Sequence, residues 1–165
     1  MKFRHAVVRI LPAIMLACSL LSAQAWAQFT QQGSKLVGTG ALGPAAQGPS
    51  VSLSADGNTA IVGGPVDDGS TGAAWVFTRS GGLCSQQGTP LTGTGAVGNA
   101  GQGISVSLSS DGNTAVIGGP HDDNDTGTAW VLRRSGGVWA QQGPKTDWDR
   151  CRRRRPAGLV SVPFR

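Results

Sequence analysis

Ser50-Val51-Ser52-Leu53-Ser54-Ala55-Asp56-Gly57-Asn58-Thr59-Ala60-Ile61-Val62 is the stretch whose reading decides the fold. Serine alternates with an apolar residue through Ser54, the period-2 pattern of a short strand. Asp56-Gly57-Asn58 supplies a hairpin turn in which Asp-Gly tolerates positive φ. Thr59 to Val62 is then the returning strand, ended by Gly63-Gly64-Pro65. The same text recurs 55 residues later as Ser105 to Ser109, Asp111-Gly112-Asn113 and Thr114 to Ile117.

Working outward, Gln31-Gln32-Gly33, Gln86-Gln87-Gly88 and Gln141-Gln142-Gly143 mark a period of 55, and residues 31–85 align with 86–140 without a gap, 36 of 55 positions being identical. A period in this range means stacked supersecondary units. Each unit offers two further strands, Ala73 to Thr78 and Leu83 to Gln87 in the first copy, Thr128 to Arg133 and Val138 to Gln142 in the second. Ser80-Gly81-Gly82 turns the first of these pairs. Four meandering strands per repeat is the plan of one propeller blade. The expected fold is all-β: about two four-stranded antiparallel blades of an incomplete β-propeller, after an N-terminal signal helix.

Composition agrees. The 165 residues contain 26 Gly, no Tyr and no Glu, with 14% charged, which excludes a coiled coil or a charge-rich disordered chain. The net charge of +5 invites a nucleic-acid or membrane-surface reading, but it is distributed unevenly. Three cations and no acids precede Gln28. From Gln28 to Pro144 four cations meet seven aspartates, for −3, and from Lys145 onward seven cations meet two aspartates, for +5. The repeat body is mildly acidic.

Lys2, Arg4 and Arg9, the apolar run from Ile10 to Leu21 and the small-x-small site Ala25-Trp26-Ala27 form a signal peptide over residues 1–27. The apolar run is too short to span a bilayer, which takes about 20 apolar residues. The expected location is therefore secreted, periplasmic or cell-surface after cleavage near Ala27, with no transmembrane segment. Cys18 leaves with the signal, and Cys84 and Cys151 remain without a paired framework.

Gly48-Pro49-Ser50-Val51-Ser52-Leu53, then Ala60-Ile61-Val62-Gly63-Gly64-Pro65, then Gly72-Ala73-Ala74-Trp75-Val76-Phe77 resemble the FG-GAP repeat of integrin α-subunit N-terminal β-propellers and their bacterial relatives. The resemblance covers residues 31 to about 143. It divides the chain into repeat 1 (28–85), repeat 2 (86–143) and a basic tail (144–165). Gln47-Gly48 and Gln102-Gly103 stand where the family has Phe-Gly, and Gly-Gly-Pro at 63–65 and 118–120 replaces Gly-Ala-Pro. The multi-aspartate loop of the family's calcium-binding members has shrunk to Asp56-Gly57-Asn58 and Asp111-Gly112-Asn113. Calcium takes six to eight oxygens from a loop able to wrap it, so the resemblance carries over the fold and not the metal. No cofactor and no metal are expected.

What remains is sparse in chemistry. Asp122-Asp123-Asn124-Asp125 could gather oxygens, but its counterpart is Asp67-Asp68-Gly69-Ser70 and a solvated loop is the expected reading. Asn124-Asp125-Thr126 fits a glycosylation sequon. His121, the only histidine after cleavage, aligns with Val66. Ser50, Ser52 and Ser54 share a strand face with no evident base, so a Ser-His-Asp arrangement has little to rest on. Trp75, Trp130, Phe77 and Trp139 are read as blade-to-blade core rather than sugar-stacking aromatics, and Cys84, aligned with Trp139, as a filler of an aromatic slot.

No catalytic residue is assigned. The functional expectation is an exported, non-catalytic structural or adhesion module that takes a protein or glycan ligand through its loops, with self-association through exposed blade edges. The alternatives are a propeller-type secreted hydrolase or lyase fragment and a nucleic-acid binder using Arg152-Arg153-Arg154-Arg155. Neither is preferred, the first because the body lacks Glu and Tyr, the second because its basicity lies only in the tail.

The tail has a coding explanation. Degenerate codons for 146–165 read one base later permit Leu, Thr, Gly, Thr, Gly, Ala and, further on, Ser-Val-Ser-Leu-Ser. Sixteen of nineteen shifted positions allow a residue found in one of the intact repeats. Residues 146–165 are therefore expected to be an out-of-frame third repeat and disordered, which sequencing the locus tests. Two blades also leave apolar faces and strand edges open, so marginal stability or dependence on assembly is expected.

Overall fold

The computed structural model describes Gln31 and residues 33–147. The proposed signal peptide, Cys151 and the arginine run at 152–155 lie outside them. Two units separate at Gln32, and only Gly33 onward is described below.

All eight expected strands form. Sheet 1 is the meander β1 (Val51–Leu53), β2 (Thr59–Gly64), β3 (Ala73–Ser80) and β4 (Leu83–Gln86), with every pair antiparallel. Sheet 2 repeats it with β5 (Ser105–Leu108), β6 (Thr114–Gly119), β7 (Thr128–Ser135) and β8 (Val138–Gln141). A short β9 (Thr146–Asp147) pairs antiparallel with the start of β7, Thr146 opposite Ala129. That is the place Leu91 takes opposite Ala74 one repeat earlier. The chain thus resumes the repeat's register at residue 146.

Period-2 alternation gives each sheet two different faces. On one face of sheet 1, cross-strand rows run Val51, Val62, Trp75 and Leu53, Ala60, Phe77; on the other, Ser52, Ile61, Val76 and Gly63, Ala74. The second face packs on the Trp-bearing face of sheet 2, enclosing Ile61, Ala74 and Val76 with Leu108, Ala115, Ile117, Trp130 and Leu132. A separate cluster of Ala45, Ala73, Trp75 and Phe77 lies on the other side of sheet 1. The sheets therefore stack front to back, never front to front. Trp130 belongs to the joint between the sheets, whereas Trp75 and Phe77 are buried within repeat 1 itself.

Each buried indole has a slot cut by glycine. A Cβ at Gly38 would meet Trp75 Cδ1 at 2.1 Å, and one at Gly64 would meet Trp75 Cζ3 at 2.4 Å; Gly93 and Gly119 hold Trp130 in the same way, at 2.1 and 2.7 Å. The indole N–H is also satisfied, Trp75 Nε1 donating to the Thr39 carbonyl and Trp130 Nε1 to that of Thr94, both at 2.9 Å.

Candidate functional site

Of the serines singled out for chemistry, two are occupied by the joint between repeats and one by its own hairpin. Ser50 Oγ donates to the Gly103 carbonyl at 2.7 Å, and Ser52 Oγ accepts the Leu108 N–H at 3.0 Å. Ser54 Oγ accepts the Thr59 N–H at 2.9 Å and donates to Asp56. Each serine is fixed by its backbone partner, and none faces a histidine. Trp139, half-buried, donates to Gln87 Oε1 at 3.2 Å beneath the Arg134 guanidinium, 5.4 Å from its ring. Cys84, its counterpart, is exposed on β4 and fills no slot.

The two Asp-Gly-Asn turns spend their carboxylates on themselves. Asp56 accepts the Ser54 hydroxyl, the Asn58 N–H at 3.0 Å and the Asn58 side-chain amide at 3.0 Å. These bonds favour the charged form, so its pKa falls to about 2. Asp111 is lowered by the same partners, first the Ser109 hydroxyl and then the Asn113 N–H. Both oxygens of Asp56 are engaged in closing a hairpin. Among the described residues no three of His, Cys, Asp or Glu gather as a metal site requires. The donor set does not fit the calcium that the resembled family carries.

The Asp-rich loops are the least regular part of the fold. Val66 and His121 lead into single turns at Asp67–Ser70 and Asp122–Asp125, whose middles are left-handed: φ is 47° at Asp68 and 62° at Gly69, 52° at Asp123 and 55° at Asn124. Left-handed runs are costly for L-residues, and Gly, Asn and Asp bear them best. The leading aspartate anchors each turn from inside. Asp67 Oδ1 accepts the Leu42 N–H and Asp122 Oδ1 the Val97 N–H, both at 2.7 Å. Asp122 also pairs with Lys145. The aspartates read as solvated thus divide: Asp67 and Asp122 are buried braces, while Asp68, Asp123 and Asp125 are exposed.

Between the two turns lies an open depression of about 410 Å³ lined by Ser70, Val97, Gly98, Asn99, His121, Asn124 and Asp125. His121 Nδ1 and Asp125 Oδ1 are 2.7 Å apart at its edge. Asn99, His121, Asn124 and Asp125 all stand where repeat 1 has a different residue, respectively Pro44, Val66, Gly69 and Ser70. The depression is therefore built at positions where the two copies diverge, on a frame where they agree.

Sequence reasoning missed a pair of equivalent framework residues, one in each repeat. Gln102, fully buried, takes the Gly93 N–H on Oε1 at 2.6 Å and gives Nε2 to the Gly93 carbonyl at 3.0 Å; Gln47 does the same with Gly38. The only signal was glutamine at the position where an aromatic is expected. Among the described residues no helix is long and apolar enough to cross a membrane. No protein-family model matches the chain, and no curated protein does.

Proposed function

We propose that the chain is an exported FG-GAP-type propeller fragment: two blades of an incomplete β-propeller whose loops bind a protein or glycan ligand without catalysis. One observation carries the binding role. Ser50, Ser52 and Trp130 are committed to the joint between the repeats, Ser54, Trp75, Gln47 and Gln102 to holding each repeat together, and the two copies diverge at the turns that line the depression beside His121. A surface that varies on a fixed frame is what ligand discrimination requires. The front-to-back stacking of two meanders of the same strand order supports the blade reading, and the register of Thr146 supports a third repeat interrupted after Lys145.

A glycan and matrix-protein array, run beside a hydrolase and lyase screen, tests this reading. Binding to an array member, lost when His121 and Asn124 are replaced by the repeat-1 residues valine and glycine, is expected. Turnover in the screen, or binding indifferent to those replacements, overturns it.

A further inference from the structure

The two outermost sheet faces are halves of a joint that the molecule already contains. Within the chain, the Ile61–Val76 face of sheet 1 is sealed by Leu108 and its neighbours on sheet 2. Part of the equivalent surface at the free ends is uncovered, although Trp75 and Phe77 there are already buried within repeat 1: Leu53 is 65% exposed where Leu108 is 8%, and Val116 is 37% exposed where Ile61 is 0%. Val51, 66% exposed, extends the first of these faces, and half-buried Ala129 and Val131 extend the second. The polar partners are duplicated as well. Ser105 and Ser107, counterparts of Ser50 and Ser52, are exposed on sheet 2, and Gly48, counterpart of Gly103, is exposed on sheet 1.

We propose that a second copy of this chain seats its Val51 and Leu53 face on the Val116 and Val131 face of the first, head to tail, repeating the internal joint between molecules. The occupant is a second copy because the surface that fits Val116 and Val131 is the one this structure shows seated on their counterparts Ile61 and Val76. The contact is heterologous, so every addition leaves one face of each kind open until a ring closes. If the blade reading holds, closure takes about two to four copies, since propellers have typically four to eight blades. β9 already lies beside Ala129, where the incoming copy's Leu36 would pair, so the joint between molecules has one bridge fewer than the joint within.

Light scattering on the full chain, with Leu53→Asp and Val116→Asp alone and mixed, tests this. The expected result is a concentration-dependent mass above that of one chain for the wild type. Each variant alone should be monomeric, and the equimolar mixture should recover a dimer and nothing larger, because each variant retains one intact face. A wild type that stays monomeric at every concentration, whatever else covers the faces, overturns the proposal. So does association of either variant alone, or a mixture that remains monomeric. If the emission of Trp75 and Trp130 in a variant becomes that of solvated indole, Val51→Lys and Ser107→Arg, both at exposed positions, replace it in the same scheme. A wild type that associates but binds nothing on the array keeps this proposal and removes the ligand reading, and the converse separates them the other way.

Discussion

A methyl group at residue 93 would stand 2.1 Å from the Trp130 ring, which is fully buried and cannot retreat. Gly93→Ala is therefore expected to cost about 3 kcal/mol or more, at the upper end of ordinary overpacking, measured by urea unfolding. Gln102→Leu keeps the volume but strands the Gly93 N–H and carbonyl. At about 1–3 kcal/mol for each buried group left unsatisfied, the loss is expected to be about 2–6 kcal/mol by the same measurement. Asp56 gives a pH signature. Its folded pKa, about 2, lies below the ordinary carboxylate value, so its contribution to stability is fully present above about pH 4. That contribution fades as pH falls through about 2. Carboxyl-carbon NMR titration should place Asp56 there, and Ser54→Ala should move it up toward the usual range, because the Ser54 hydroxyl is its largest anion-stabilising partner.

At the scale of elements, alternation and turn chemistry made all eight strands of the two meanders legible. The left-handed turns were not. Nothing in Asp67-Asp68-Gly69-Ser70 announces three successive positive-φ residues, since the same letters suit an ordinary solvated loop. Contacts distant in sequence fix that path: Asp67 accepts the Leu42 N–H, 25 residues away, the Asp68 N–H donates back to the Leu42 carbonyl, and the Ser70 carbonyl accepts the Gly101 N–H. An exposed substitution should expose the conformation. Asp123→Val is expected to lose about 1–2 kcal/mol, the left-handed penalty for a β-branched residue, while Asp123→Gly loses little. Comparing the two in thermal unfolding checks this. β9 also escaped the sequence reading, because Thr146-Asp147 carries no strand pattern of its own and forms by pairing with Thr128 and Ala129.

For the whole molecule, the period of 55 foretold stacked units but not which face meets which. Val62 and Ile61 are adjacent and alike, and only the structure separates the residue packed within repeat 1 from the one packed against repeat 2. The candidate site was barely legible: the aspartates were visible as a run expected to be a solvated loop and His121 as a lone histidine, whereas the approach of His121 to Asp125 and the brace formed by Asp122 with Val97 and Lys145 depend on tertiary structure. Burying an exposed Val or Leu yields about 1.5–3 kcal/mol, against an association cost estimated at 4–15 kcal/mol. The open faces at Leu53 and Val116 therefore favour assembly only as a set. The unfolding midpoint of the full chain is expected to rise with protein concentration, as mass action requires when folding and association are linked. Calorimetry at two concentrations a hundredfold apart measures it, and a midpoint independent of concentration would count against linkage.

The front-to-back joint has a genetic corollary. Because both of its surfaces are encoded within every 55-residue unit, a tandem duplication or deletion of one unit leaves each remaining junction with the partner it had before. The number of units can change while the kind of junction stays the same. Divergence is then free to accumulate at Val66 and His121, Gly69 and Asn124, Ser70 and Asp125, the loop positions that no junction uses for its apolar seal.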